Sequence, residues 1–273
     1  MAVYDGNRLA REHLIDVAKL CIQATLKAPQ ITGRLKISTK IVTDDDLMPV
    51  VDVIGELAKI AHYAHWDHQT FLQTLDDKDL PLLLLIGADL TVSDLKLNCG
   101  ACGFKTCADF NRYAKKIKDS QPIVRGPSCN WKMLDFSIAC DWACAAAWQY
   151  NVENRILGSA GLAAQFLGLM PGCSTVMGLP LGPPRELVWY SREAMHNRFT
   201  HEDFRQLMLR TVPTHFMSFS GTGKPLAKDR DSWWSDKPPR YFQPVEDPEY
   251  EQRKRKVFKN IREIVQKYKN KKK

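Results

Sequence analysis

The chain has 273 residues, of which 44% are hydrophobic and 26% are charged, and its formal net charge is +8. These fractions are typical of a globular protein and exclude a disordered or membrane-embedded chain. The charge is uneven, because Glu251–Lys273 carries eleven Lys or Arg against two Glu, which is +9, and the other 250 residues therefore sum to −1.

A neutral body argues against a general nucleic-acid-binding surface, and we predict no specific nucleic-acid partner. The longest apolar run, Leu80–Ala88, is far shorter than the roughly 20 residues that cross a bilayer. The first residues contain no apolar core of a signal peptide. The sequence therefore predicts a cytoplasmic protein without membrane spans, in which the eight cysteines are thiols or metal ligands rather than disulfides.

The first half of the chain alternates between helical and strand-like patterns. Apolar spacing predicts helices, strands and one long or kinked helix. In chain order these are a helix over Asn7–Leu26, a strand over Arg34–Val42, the long helix over Thr43–Leu75, a buried strand over Leu80–Ala88 and a helix around Asp109–Lys118.

The second half continues the alternation, which places the chain in the α/β or the α+β class. The predicted elements are helices over Asp135–Tyr150 and Asn154–Leu169, a strand in Cys173–Pro184, a helix over Arg185–Thr211, a strand in Pro213–Ser220 and an irregular aromatic segment over Asp229–Pro248.

The basic C-terminal segment Tyr250–Lys273 carries an apolar stripe on a predicted helix. The stripe consists of Val257, Ile261, Ile264, Val265 and Tyr268. Such a helix could dock on a partner subunit, an acidic surface or a membrane interface, or stay solvated. We expect the segment to serve association rather than the core of the fold.

Four cysteines form the most informative motif of the sequence. Cys99, Cys102 and Cys107 have C-x2-C-x4-C spacing, glycines stand between them, and Cys129 follows downstream. Thiolates are soft ligands for zinc or for iron–sulfur clusters. Buried structural thiols and a structural zinc site remain alternatives, although a zinc site usually pairs two short cysteine knuckles. A single [4Fe–4S] cluster is the prediction that the spacing favours.

The other histidines and cysteines that stand close together in sequence are predicted to have structural rather than catalytic or metal-binding roles. His62, His65 and His68 recur every third residue, which fans them around a helix, so we expect a surface or interface aromatic patch rather than a metal site. Cys140 and Cys144 lie one helical turn apart among alanines and are expected to pack. Cys21 and Cys173 are expected to lie in the core.

The cysteine motifs, together with "DFSIACDWACAAAWQYNVENRI" and "FSGTGKPLAKDR", resemble the ferredoxin-domain proteins of anaerobic bacteria and archaea, a family of unknown function. The resemblance covers roughly residues 10–230. That family is in turn similar to nitroreductases, through "ATLKAPQITGR" and "AGLAAQFLGLMPGCSTVMGLPLG". It implies a nitroreductase-like FMN fold over 1–230, an iron–sulfur insertion at about 95–132, and a C-terminal extension over 231–273.

The resemblance also implies where FMN would bind. Nitroreductases grip the FMN phosphate with N-terminal arginines that have no match here before Asn7. We therefore expect Lys224 and Arg230 to hold the phosphate, because charged donors and glycine-rich turns bind it. Further contacts with FMN are predicted for Gln30, Gly33, Arg34, Met177 and Gly178.

The function expected from this combination is an iron–sulfur flavoprotein oxidoreductase. A ferredoxin-like donor or a redox partner subunit would supply electrons through the [4Fe–4S] cluster to FMN and a small substrate. The alternative is a non-catalytic electron-transfer or scaffold subunit of a larger anaerobic redox complex. A homodimer or larger assembly is expected, and the sequence identifies no catalytic acid.

Overall fold

The computed structural model of the chain describes residues 3–117, 124–184, 187–191, 217–219, 225–229, 240–242 and 249–271. For His62 and the three short strands between 217 and 242, only the backbone is described. The helices are α1 (Gly6–Lys27), α2 (Met48–Leu57), α3 (His62–Asp76), α4 (Cys107–Ile117), α5 (Asn130–Gln149), α6 (Gly158–Phe166), α7 (Val188–Ser191) and α8 (Tyr250–Lys271). The strands are β1 (Ile37–Val42), β2 (Leu82–Ala88), β3 (Thr175–Leu181), β4 (Met217–Phe219), β5 (Pro225–Asp229) and β6 (Arg240–Phe242).

The core is built on an antiparallel sheet with strand order β1-β2-β3. The central strand β2 is buried along its whole length, which agrees with its uninterrupted apolar sequence. A strand with helices on both faces needs apolar side chains at every position, whereas a half-exposed strand alternates. The short strands β4, β5 and β6 form a second antiparallel sheet.

Successive residues of β2 point to opposite faces of the sheet, and each face carries its own apolar core. Leu83 and Leu85 pack with residues of α2, α3, α6 and α8. Leu82, Leu84 and Ile86 pack with residues of α1 and α5. The result is a mixed α+β architecture of three layers, in agreement with the predicted fold class. No helix in the described part of the chain is long and apolar enough to cross a membrane.

The segment predicted as one long or kinked helix forms two separate helices, α2 and α3. A single helix over those 33 residues would be about 50 Å long, which exceeds the width of a small domain. The turn after α2 is tightened by two bonds of the 3₁₀ type, from Lys59 N–H to the Glu56 carbonyl at 3.1 Å and from Ile60 N–H to the Leu57 carbonyl at 3.0 Å. This turn lets both helices pack on the same core.

The expectation that the C-terminal helix lies outside the core of the fold is wrong. Val257 and Ile261 of α8 are at most 1% exposed, and Tyr268 is 8% exposed, within the core that also contains α2. The basic side chains occupy the other faces of the helix, where water solvates them. The helix is therefore part of the core of the fold, and its high charge reflects its solvated side.

The prediction of a surface or interface aromatic patch on α3 is wrong as far as a fully exposed surface is concerned. Tyr63 is half-buried against the core of α2 and α6, and Asp67 is buried. His65 and His68 are half-buried, and burial is the largest cause that lowers the pKa of His68. This face of α3 is turned towards the core rather than towards solvent.

Smaller differences concern the element ends. Helix α5 begins at Asn130, five residues before the predicted start, and α6 begins at Gly158, four residues after its predicted start. Strand β6 lies within the segment that was predicted to be irregular. The predicted strand in Pro213–Ser220 corresponds in part to β4.

Candidate metal centre

The four cysteines of the motif line one cavity. Cys99 and Cys102 lie on the loop after β2, Cys107 is the first residue of α4, and Cys129 caps the N-terminus of α5. The other residues that line the cavity are Ser93, Leu95, Leu97, Asn98, Gly100, Ala101, Phe104, Thr106, Phe110, Asn130 and Trp131. Cys99 is exposed, Cys102 and Cys107 are half-buried, and Cys129 is buried. Residues 30 positions apart in sequence thus meet at one place.

The loop that carries the first cysteines is shaped by residues with positive φ. Gly100 and Gly103 have φ of 75° and 84°, a region that side chains with a Cβ rarely adopt. The Gly103 N–H donates to the Gly100 carbonyl at 2.8 Å. Asn98, with φ of 48°, accepts at its side-chain oxygen from the Cys107 N–H at 2.9 Å. The interleaved glycines therefore form the turns predicted from the sequence.

Ser93 stands between two of the thiols. It is 4% exposed, and its Oγ lies 3.7 Å from the Cys129 Sγ. A hydrogen bond from Ser93 is the largest cause that lowers the pKa of Cys107, followed by a bond from the backbone of Asn98. The backbones of Leu97 and Lys96 add further bonds to the same sulfur. Successive N–H groups of this kind form an anion-binding concavity of the type found at iron–sulfur sites.

Two further features favour thiolates in the cavity. The indole N–H of Trp131 donates to the Cys99 Sγ at 3.3 Å. Helices α4 and α5 begin at Cys107 and directly after Cys129, and the N-terminus of a helix carries partial positive charge. Hydrogen bonds and helix dipoles both stabilise negative charge on sulfur.

The donor set fits an iron–sulfur cluster. Four cysteine thiolates hold a [4Fe–4S] cluster, and N–H and O–H donors around the sulfurs tune such a group. Among the described residues, no three of His, Cys, Asp or Glu are grouped as for a single metal ion. The four thiols share a cavity without converging on one point.

A second set of contacts ties the loop after α1 to the cysteine region. This loop carries Gln30, Gly33 and Arg34, which were predicted to contact FMN. Asp94 pairs with Lys132 Nζ at 2.9 Å and with Arg34 at 3.6 Å. The hydrogen bond from Lys132 is the largest cause that holds the pKa of Asp94 below its ordinary value. Asp135 of α5 accepts from the backbone N–H of Ile31 at 2.6 Å and of Thr32 at 3.2 Å. The loop after α1 is therefore pinned to the helix that Cys129 begins.

The residues predicted to contact FMN lie on separate elements. Gln30 uses its amide within its own loop, since it donates to the Leu35 carbonyl at 3.0 Å and accepts from the Leu35 N–H at 2.9 Å. Gly33 has φ of 61°, and it and Arg34 are exposed. Lys224 and Arg230 lie outside the described residues.

Met177 and Gly178 lie on β3. Gly178 is paired through its backbone with Leu157, at 3.1 Å and 2.8 Å. A Cβ added to Gly178 would lie 2.6 Å from the Cβ of Ala160. Close packing of α6 on the sheet is the role that these contacts show for this glycine. The contact of Met177 and Gly178 with a flavin ring stays a prediction.

The remaining cysteines belong to the packing of the fold, as expected. Cys21 and Cys140 are buried between α1 and α5 with Cys144 beside them, and Cys173 is buried elsewhere in the core. Burial is the largest cause that raises the pKa of Cys21 to about 11 and of Cys140 and Cys144 to about 12. Thiols held neutral in this way are poor nucleophiles and poor ligands.

Sequence reasoning missed Ser93, Trp131 and the charged residues Asp94, Lys132 and Asp135. Trp131 stands two positions after Cys129, and this proximity was the one signal that could have found it. The others act through contacts across the fold, and their local sequence carries no sign of them.

Comparison with known proteins places this site in a family context. The family model described as "Uncharacterized protein containing a ferredoxin domain (DUF2148)" matches residues 125–192, a range that includes Cys129 but not the other three cysteines. NfrA1 of B. megaterium, a solved structure, is 11% identical, with a TM-score of 0.36 over 88% of this chain and 70% of that one.

A curated relative extends the family match. An uncharacterized protein of Archaeoglobus fulgidus is 30% identical over 156 residues, which are 54% of this chain and 80% of the relative. The chain therefore belongs to the family of uncharacterized proteins that contain a ferredoxin domain.

Proposed function

We propose that the chain is an iron–sulfur flavoprotein oxidoreductase that receives electrons from a ferredoxin-like donor. The observation that carries the proposal is the shared cavity of Cys99, Cys102, Cys107 and Cys129. Membership of a family named for its ferredoxin domain supports a redox role. The distribution of hydrogen-bond donors around the sulfurs supports an iron–sulfur cluster rather than inert thiols.

The residues of the cavity would have different roles in binding a cluster. The four cysteines would hold the cluster, and Cys129 would anchor it to the core, because its N–H donates to the Leu90 carbonyl at 2.9 Å. Ser93 and Trp131 would donate hydrogen bonds to the sulfurs and set the reduction potential. Phe104 and Phe110, whose ring centroids lie 5.8 Å apart, would shield the inner side from water. When bound, the cluster supplies one-electron transfer and FMN couples it to two-electron chemistry.

The flavin part of the proposal rests on the pinned loop after α1. Asp135 and Asp94 hold this loop against α5 and the cysteine region, so a flavin bound beside Arg34 would lie on the same scaffold as the cluster. Lys224 and Arg230 would complete the phosphate site. A small substrate would then meet the flavin, and no described residue is assigned as its general acid.

Anaerobic purification followed by a visible spectrum and an iron and sulfide assay tests the proposal. The expected protein contains about four iron and four sulfide per chain, together with flavin absorbance. A colourless, zinc-containing protein would overturn the iron–sulfur assignment. A cluster without flavin would overturn the oxidoreductase assignment and leave the second candidate function.

That second candidate is an electron-transfer or scaffold subunit of a larger redox complex. One observation favours it. The side-chain amide of Gln30 and the backbone of Gly178 make their hydrogen bonds within the fold, with Leu35 and Leu157. Such a subunit would need the cluster but no flavin. Titration of the anaerobic holoprotein with FMN separates the two candidates, because the subunit would show no saturable binding.

A further inference from the structure

We propose that the surface around the exposed side of the cysteine cavity is the docking site for an acidic redox protein. This surface, called the module surface here, consists of Lys96, Leu97, Lys105, Arg112, Tyr113, Lys115 and Lys116, all exposed. The inference rests on the proposed function, and it deepens that function by assigning the place and the charge of the partner.

The cysteine segment carries a net positive charge. Residues 93–132 contain eight Lys or Arg and three Asp, which is +5. Glu251–Lys273 carries +9, and the other 210 residues sum to −6. The chain thus has two positive regions, and the cysteine segment is the one that contains the cavity. Positive charge beside the cavity attracts an acidic partner towards the thiols.

Much of the positive charge has no ion-pair partner among the described residues. Asp94 is engaged by Lys132 and Arg34, and Asp109 by Arg112 at 3.0 Å. Within the described ranges, the ion pairs of the chain do not involve the lysines of the module surface. These lysines are Lys96, Lys105, Lys115 and Lys116, and all four are exposed.

The module surface also has an apolar centre. Leu97 is 58% exposed and lines the cavity, and Tyr113 is 47% exposed beside Phe104, with ring centroids 5.3 Å apart. An apolar centre with a charged rim is the usual anatomy of a protein interface. Transient electron-transfer contacts are small, so a few exposed side chains suffice for one.

The position of Cys99 decides what kind of acidic partner fits. Cys99 is exposed, whereas Cys129 is buried, with 5% of its surface exposed. Electrons that enter a cluster in this cavity from outside would therefore enter at Cys99. An acidic carrier of one electron, such as an acidic ferredoxin, has both the charge and the chemistry that this position requires.

The test measures association of the anaerobic holoprotein with a fluorescently labelled acidic ferredoxin in a stopped-flow instrument. The probing variant is Lys115→Glu with Lys116→Glu, because these lysines lie about 12 Å along α4 from Cys107 and leave the cavity intact. The matched control is Arg255→Glu with Lys256→Glu, an adjacent exposed basic pair on α8 with the same change in charge. A second probe, Lys105→Glu, lies at the rim of the cavity.

At low ionic strength we expect the probing variants to associate about tenfold more slowly than wild type, and the α8 control to stay close to wild type. At 1 M salt, where the screening length falls to about 3 Å, the rates should converge. Equal rates for the probing variant and the control, with iron content intact, would overturn the docking site alone. Absence of a cluster from wild type would instead overturn the proposed function, and the inference with it.

Nucleic acid is the competing polyanion, and a labelled single-stranded oligonucleotide serves as the second probe. Tight oligonucleotide binding that the Lys115 and Lys116 replacements abolish, together with no ferredoxin association, would overturn the proposal. Ferredoxin association that exceeds oligonucleotide binding at the same salt concentration supports it.

Discussion

Asn111 holds the backbone of Ser93 with two hydrogen bonds. Its side-chain oxygen accepts from the Ser93 N–H at 2.7 Å, and its side-chain nitrogen donates to the Ser93 carbonyl at 2.8 Å. Because the backbone of Ser93 is fixed from both sides, its hydroxyl is kept beside Cys107 and Cys129. Asn111 and Cys107 both lie on helix α4. This helix therefore positions Ser93, through Asn111, beside the thiol of Cys107.

Ser93→Ala should lower the reduction potential of the cluster. The hydroxyl donates to sulfur, and such hydrogen bonds favour the reduced, more negative state. The expected shift is on the order of tens of millivolts, since 59 mV corresponds to tenfold in a one-electron equilibrium. A redox titration followed by electron paramagnetic resonance measures it. Ser137→Ala, at an exposed position on α5, is the control, and an unchanged potential in a fully loaded Ser93→Ala protein would contradict the role.

Cys102→Ser and Cys129→Ser should each lose most of the bound iron and sulfide. Loss of one thiolate leaves an iron of the cluster without its ligand. The control is Cys173→Ser, because Cys173 is buried in the core away from the cavity. Full iron content in either cavity variant, measured on anaerobically purified protein, would exclude that cysteine as a ligand.

The buried thiols should resist alkylation while Cys99 reacts. Burial raises the pKa of Cys140 from 9.0 to about 12, so at pH 8 about 1 in 10 000 molecules carries its thiolate. A raised folded-state pKa means that neutral Cys140 favours the folded state up to the ordinary pKa of 9.0. This contribution is lost as the pH rises further towards 12. Mass spectrometry after iodoacetamide treatment of the metal-free protein checks the pattern, and rapid labelling of Cys140 would contradict it.

Lys224→Ala and Arg230→Ala should weaken FMN binding. A charged hydrogen bond to a phosphate contributes about 1.5–3 kcal/mol, which corresponds to about 10- to 100-fold in affinity. Flavin titration with the cluster intact measures the change. Lys19→Ala on α1, where Lys19 pairs with Asp16 on the surface, is the control. Unchanged affinity in both phosphate-site variants would reject the site.

Ile261→Ala should destabilise the whole fold rather than an assembly. Ile261 is fully buried, and truncation of a buried isoleucine costs about 2–5 kcal/mol. Arg262→Ala removes the exposed neighbour and should change the free energy of unfolding little. Denaturant unfolding of the two proteins provides the comparison. Equal stability would show that α8 does not support the core.

The parts of the fold that local pattern determines could be predicted from the sequence. Strand β2 is a continuous apolar run, and the cysteine motif depends on spacing and glycine turns alone. Helix α8 was misjudged because its charge dominated its composition, although Val257, Ile261 and Tyr268 follow the helical period of a buried stripe. Ser93 could not be found, because its role arises from a contact with residues 14 and 36 positions away.

The break between α2 and α3 shows the same limit. Both segments have helical periodicity, and neither proline nor glycine marks Ala58–Ala61. The width of the core, rather than local propensity, ends the first helix. The position of such a helix end depends on tertiary packing, so it cannot be predicted from a short stretch of sequence.

The cavity joins two parts of the chain that differ in how firmly they are held. Cys129 is fixed to the core through Leu90, whereas Cys99 and Cys102 lie on an outer loop. A group bound by all four cysteines would cross-link this loop to the core and close a circuit of 30 residues, much as a disulfide does. Its oxidative loss would release the loop to proteases while the three layers stay folded.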